Sequence, residues 1–139
     1  MPVTTELAIE VDNRPGTLGK VCGILAARGV NILAFQLTPA QKTNVVYMVV
    51  DDLTAAQAIL NKDRIAHTEA EVVQVKLPHR PGELARAASR LGEANININY
   101  AYCGAEPKTN ALLVIFGVTE VGRAATILDQ IAAAAVAGT

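Results

Sequence analysis

Residues 6–11, ELAIEV, place the large apolar side chains Leu7, Ile9 and Val11 at alternate positions, as does a strand with one buried face. The spacing then changes. Leu18, Val21, Cys22 and Leu25 recur at i, i+3, i+4 and i+7, the stripe of an amphipathic helix. A second strand is predicted over residues 30–37, VNILAFQL, and a third, after a loop carrying proline and KTN, over VVYMVV. A second helix follows over about 53–61.

The same succession then begins again. Arg14-Pro-Gly-Thr-Leu18 recurs as Arg80-Pro-Gly-Glu-Leu84, an offset of 80 − 14 = 66 positions. In that register, held without a gap from Leu7/Val73 to Val50/Phe116, Leu25 meets Leu91, Asn31-Ile32 meets Asn97-Ile98, and Lys42-Thr43-Asn44 meets Lys108-Thr109-Asn110. The chain therefore reads as two copies of one unit, divided as residues 1–71 and 72–139. In the second, VVQVKL (72–77), ININYAYC (96–103) and LLVIF are strands. Leu84, Ala87, Ala88 and Leu91 form the helical stripe, and a last helix spans about 120–136.

Local chemistry sharpens the boundaries. Pro15 and Pro81 stand where a helix can begin, and Gly29 and Asn95 tolerate the left-handed cap that ends one. Each copy is then β-α-β-β-α, and TEAEVV (68–73) supplies the first with a closing strand that runs into the second. The second copy has no counterpart, so its sheet is expected to lack a strand or to be completed by another chain. The fold class is α+β: two split β-α-β units of ferredoxin-like type, βαββα(β), with antiparallel sheets and helices on one face. Leu33, Phe35 and Leu37, alternating with Ile32, make both faces of their strand look buried. Packed sheets or a dimer would satisfy them.

One stretch breaks the ordinary composition of a strand. Asn95-Ile-Asn-Ile-Asn-Tyr-Ala-Tyr102 puts Ile96, Ile98, Tyr100 and Tyr102 on one side of the pleat and three asparagines on the other. Those amides are either solvated or presented to something small and polar. The two loops NRPG and HRPG hold the remaining polar signal. A helix amino terminus there offers unpaired N–H groups to a carboxylate or phosphate, and glycine admits close approach. Asn13 either caps its helix or binds a guest.

These residues resemble the ACT domain family. An x-x-P-G-x-L turn after an apolar strand, a helix, and N-I opening the next strand is that family's recurring pattern, and it occurs twice. The resemblance covers residues 6–75 and 72–136. It implies a ferredoxin-like βαββαβ fold and a small regulatory module, without catalysis, that binds a free amino acid at an interface between two such domains. It places the ligand at the strand-to-helix loop and at the start of the second strand. The candidate ligand-binding set is Asn13, Arg14, Gly16 and Asn31 in one copy, and His79, Arg80, Gly82, Asn97 and Asn99 in the other. Members often carry aspartate where this chain has Asn13 and His79. Asp12 would supply a carboxylate in the first copy only, and contact through His79 would make binding vary with pH near neutrality.

Composition narrows the alternatives. About half the residues are apolar (51%), and 12 basic against 13 acidic residues leave no basic run for nucleic acid. Aromatic residues are too few for a base-stacking platform. No apolar run approaches the ~20 residues of a bilayer span. Residues 1–11, MPVTTELAIEV, lack the features of a secretory signal, so a cytoplasmic protein is expected. Cys22 and Cys103 with His67 and His79 have no metal-ligand spacing, and no cofactor motif occurs. Asp51 and Asp52 read as capping or solvated groups, and Cys22 as a buried thiol. The expected protein is a free-standing sensor, allosteric and homodimeric. The alternative is a non-catalytic regulatory subunit that docks on a metabolic enzyme and binds no ligand.

Overall fold

Both Arg-Pro-Gly segments fold into the turn that their composition dictates. The Thr17 N–H donates to the Arg14 carbonyl at 3.4 Å, and Gly16 takes φ 88°, ψ −10°. Glu83 N–H and the Arg80 carbonyl repeat the bond at 3.5 Å, with Gly82 at φ 88°, ψ −15°. Proline second and a left-handed residue third define a type II turn, which only glycine enters without strain. The prolines therefore lie in the turn ahead of the helices, not in the first helical turn.

The structure, a computed structural model, describes residues 2–109 and 111–137. Met1, Gly138 and Thr139 lie outside the described residues, as does Asn110, the sequence match of Asn44. Four helices and six strands occur among those described: β1 (Val3–Val11), α1 (Thr17–Ala27), β2 (Ile32–Pro39), β3 (Asn44–Val50), α2 (Leu53–Lys62), β4 (His67–Leu77), α3 (Glu83–Glu93), β5 (Ile98–Ala105), β6 (Leu112–Val118) and α4 (Val121–Ala137). They form two compact units. One is Thr5–Ala70, and the other joins Glu71 onward with the first residues of the chain, up to Thr4.

In the first unit β3 is antiparallel to both neighbours, with Leu7 opposite Met48 and Val11 opposite Asn44 on β1, and Ile32 opposite Val50 on β2. Leu7, Ile9, Val46 and Met48 point to one face, where Val21 and Leu25 of α1 and Ile59 and Leu60 of α2 cover them. Burying each such side chain contributes about 1.5–3 kcal/mol. Asp52 caps α2 by accepting the Ala55 N–H at 3.1 Å. The second unit is built alike: β6 pairs with β4 and β5, and Val73, Val75, Val114 and Phe116 pack against Ala87, Leu91, Leu128 and Ile131. The strand expected to be missing from it has a different source. Gln74 N–H donates to the Pro2 carbonyl at 2.7 Å, which ties the chain's own first residues to β4.

Three helices end alike. Gly29 (φ 76°), Arg64 (φ 55°) and Asn95 (φ 60°) take the left-handed conformation, and the next residue's N–H reaches back to Leu25, Leu60 and Leu91. Asn95 is thus a helix cap and not a strand residue.

Register departs from the sequence expectation in two places. A bulge interrupts β2 between Ile32 and Ala34, and another interrupts β5 between Ile98 and Tyr100. One extra residue turns every later side chain to the opposite face. Phe35 and Leu37 therefore stand opposite the core residues Met48 and Val46, on the same face as Ile32. They remain 53% and 39% exposed, so they lie on the core face of β2 without being covered and do not occupy its second face. Tyr100 and Tyr102 leave the side of Ile96 and Ile98 and stack on each other, ring centroids 6.5 Å apart. Elsewhere, Phe116 lies opposite Val73 as Met48 lies opposite Leu7, an offset of 116 − 48 = 68. The second loop before β6 is longer by two residues, so the gap-free alignment of the two KTN segments does not survive in β3 and β6.

Two helical positions also differ. Leu84, placed on the apolar stripe, is 50% exposed, and its neighbour Glu83 is buried. The Cys22 thiol is half-buried, and burial pushes its pKa up; Cys103 is exposed.

Tyr100 depends on a hole. A Cβ at Gly117, its partner on β6, would lie 2.3 Å from the ring. In the first unit the corresponding pair is Ala34 and Val49, with the small residue on the other strand. Gly117→Ala is expected to lower stability by about 1–3 kcal/mol through overpacking. Urea unfolding of G117A, Y100A and the double variant checks this, and the double variant should lose less than the sum of the two.

Candidate functional site

The loop after β1 is held by its own groups. The Arg14 guanidinium donates to the Asp12 carboxylate at 2.9 Å, and the Arg14 N–H donates to the Asp12 carbonyl at 2.8 Å. Thr17 Oγ1 donates to the Asp12 and Arg14 carbonyls. Asn13 does not cap α1. Gly16 occupies the cap position, and the Asn13 amide oxygen instead accepts Asn44 Nδ2 at 3.2 Å. An open groove of about 290 Å3 runs beside this loop, with Val11, Val21 and Ile65 in its floor and Arg14, Lys20 and Arg64 among its rim residues.

The equivalent loop after β4 uses different chemistry. Glu83, at the position of Thr17, is clamped by two arginines: Arg80 Nε and Nη2 reach Oε1 at 3.3 Å, and Arg86 Nη2 reaches Oε2 at 3.0 Å. The Arg86 bond holds the carboxyl below its ordinary value. Burial opposes that effect, and Arg80 adds to it. His79 is exposed. Sequence reading placed Arg80 in the site and missed Glu83 and Arg86. The signal was available, since a glutamate three residues before an arginine on one helix makes an ion pair.

The amide positions are equally unlike. The Asn31 N–H donates to the Asp51 carboxylate at 2.9 Å, and Asp51 N–H returns a bond to the Asn31 carbonyl at 3.0 Å. Asp51 is thus the link between the start of β2 and the end of β3. Asn97 Nδ2 donates to Asn99 Oδ1 at 2.9 Å, and both residues are exposed. The three asparagines do not line one strand face. Asn95 caps α3, Asn97 precedes β5, and Asn99 sits in the bulge.

The candidate residues of one copy do not converge. Val11 and Asn44 pair at one end of β3, whereas Ile32 and Val50 pair at the other. The loop of Asn13, Arg14 and Gly16 and the amide of Asn31 are therefore separated by the length of a seven-residue strand. At about 3.3 Å per residue this is roughly 20 Å. β6 separates the loop of His79, Arg80 and Gly82 from Asn97 and Asn99 in the same way. Among the described residues no group of three or more His, Cys, Asp or Glu side chains can hold a metal ion. No described helix is long and apolar enough to cross a membrane.

The family model of the ACT domain matches residues 5–62. No curated protein matches the chain. Among solved structures, the protein BT0572 from Bacteroides thetaiotaomicron superposes with a TM-score of 0.80 at 24% identity, over 92% of this chain and 88% of that one. The regulatory subunit of aspartate kinase from Thermus thermophilus, in its ligand-free form, gives 0.62 at 17% identity over 94% and 97%. Aspartokinase alpha and beta subunits give 0.59 at 14% identity with the same coverage.

The Glu83 clamp has a definite pH dependence. A carboxyl whose folded value is depressed stabilises above its ordinary pKa, about 4.3, and loses that contribution as pH falls through the folded value. Glu83→Gln should therefore lower the melting temperature near neutral pH, and the gap to wild type should close in acid. Melting both proteins from about pH 7 to pH 3 checks this. A gap that is constant across the range would remove the ionised clamp as its cause.

Residues 5–62 thus match the ACT domain model, and nearly the whole length of the chain shares its fold with the regulatory subunit of aspartate kinase.

Proposed function

We propose that the chain is a regulatory protein of two ACT-like repeats, residues 1–71 and 72–139, that binds a free amino acid. Each site takes the strand-to-helix loop from one repeat and the amide before β2 or β5 from another, in the same chain or a second copy. The observation that carries this reading is the separation of roughly 20 Å within each repeat, which bars a small ligand from touching both groups of one copy. Amino acids are only a few ångströms long, so both halves of a site must come from different repeats. The recurrence of the type II turn, the left-handed cap and the bulge at an offset of 66 supports the duplication.

The protein acts by binding and not by catalysis, as an allosteric, homodimeric module in the cytoplasm. An ammonium and a carboxylate are the groups such a site must recognise. Amides serve both, because each carries donors and an acceptor. The type II turn adds the N–H groups at the start of α1 or α3, which favour a carboxylate. Arg14 and Arg80 are already paired with Asp12 and Glu83, so they shape their loops before they meet a ligand. The docking-subunit reading has one observation in its favour, the exposure of Phe35 and Leu37 on β2.

A thermal-shift screen against the twenty amino acids at millimolar concentration tests the reading. A ligand at 100 times its dissociation constant adds about 2.7 kcal/mol and raises the midpoint by several degrees. Asn97→Ala should weaken the binding of the active amino acid by about 1–2 kcal/mol while leaving the fold intact. No shift with any amino acid would favour docking on an enzyme, and an unchanged affinity in N97A would remove Asn97 from the site.

A further inference from the structure

Several acceptors of the first loop are engaged by the loop's own groups and by Asn44. The Asp12 carboxylate is taken by Arg14, the Asp12 and Arg14 carbonyls by the Thr17 hydroxyl and by backbone N–H groups, and Asn13 Oδ1 by Asn44. Asn44 Oδ1 is buried and has no hydrogen-bond partner among the described residues, although the residue as a whole is only half-buried. A buried carbonyl oxygen without a donor is costly, and its persistence in a fold calls for a partner such as a bound water or ligand. Gln36 Oε1 is in the same condition, but it lies along β2 opposite Tyr47 and borders no loop.

We propose that Asn44 is the residue of the first loop site that accepts a hydrogen bond from the ligand's ammonium group. This rests on the amino-acid reading and names a specificity determinant within it. Asn44 opens β3 opposite Val11, the last residue of β1, so the framework of the sheet and not the loop sets its position. Its Nδ2 fixes Asn13 at 3.2 Å, which orients the two amides as a pair. An ammonium has three donors and no acceptor, and it suits an oxygen that already lacks a donor. The exposed Asn13 side chain, held by that single bond, is the element that yields on entry.

The second unit lacks this device. Leu112 lies opposite Leu77 as Asn44 lies opposite Val11, so an apolar side chain stands where the first unit has an amide. The KTN match obscured the difference by aligning Asn44 with Asn110. The two loops are thus chemically unequal, and an α-amino group is read at the first.

The test is titration calorimetry of wild type, Asn44→Leu and Asn44→Asp with the amino acid that gives the largest thermal shift, and with its hydroxy-acid analogue. Leucine is already used at the corresponding place in the second unit. N44L should keep an unliganded midpoint equal to or above that of wild type while losing about tenfold or more in affinity at one site. N44D should retain or gain affinity, and the hydroxy acid should lose the preference for wild type over N44L. Equal binding by wild type and N44L would overturn the proposal and leave Asn44 as the seat of a resident water, with the amino-acid reading intact. No binding by wild type would sink that reading and this proposal together.

Discussion

The antiparallel pairing of a short central strand with both of its neighbours is the constraint on which the rest depends. β3 meets the end of β1 at Asn44 and the start of β2 at Val50, and β6 does the same between β4 and β5. The helix that follows the first strand must return the chain along the sheet before the second strand can start. The Arg-Pro-Gly turn and the asparagine before the second strand are therefore fixed at opposite ends. Under the proposed function, each such module holds two half-sites and completes neither, and recognition of a small molecule would be coupled to the association of repeats.

A second constraint acts through single residues. Each second strand carries one extra residue in its first turn of pleat, at Leu33 and at Asn99, and everything after it is turned over. Phe35 and Leu37 reach the core side of their sheet without being covered. Tyr100 and Tyr102 reach the other side, where Gly117 makes room for a ring. The same bulge aims Asn99 back toward Asn97 and gives the second unit its pair of exposed amides. Asn31 has no such neighbour and is anchored to Asp51. The two units share their backbone plan and differ in most of the polar contacts described at their loops and second strands.

Much of the fold was legible in the sequence because the signals were local. The Arg-Pro-Gly turns, the helical stripe of Val21 and Leu25, and the caps at Gly29 and Asn95 each depend on a few adjacent residues. The bulges were not legible, because nothing in the residues at Leu33 or Asn99 marks an insertion, and only the opposing strand shows that one residue is unpaired. Leu84 and Glu83 exchanged roles for a related reason: the stripe predicts which positions lie near the core, but Arg80 and Arg86 make the carboxylate the better group to bury. For the candidate site, the sequence pattern singled out Asn13, Asn31, His79 and Asn97 as residues to examine. Their separation was not legible, since it follows from the direction of β3. Nor was the buried oxygen of Asn44, which has no hydrogen-bond partner among the described residues.

The most direct measurement is a crystal structure of the protein grown with the amino acid that gives the largest thermal shift. The ligand is expected to touch the Arg-Pro-Gly loop of one repeat and the amide before the second strand of another, with both groups within hydrogen-bond distance. A ligand held entirely within one repeat, or seated away from both the loops and the amides, would contradict this expectation.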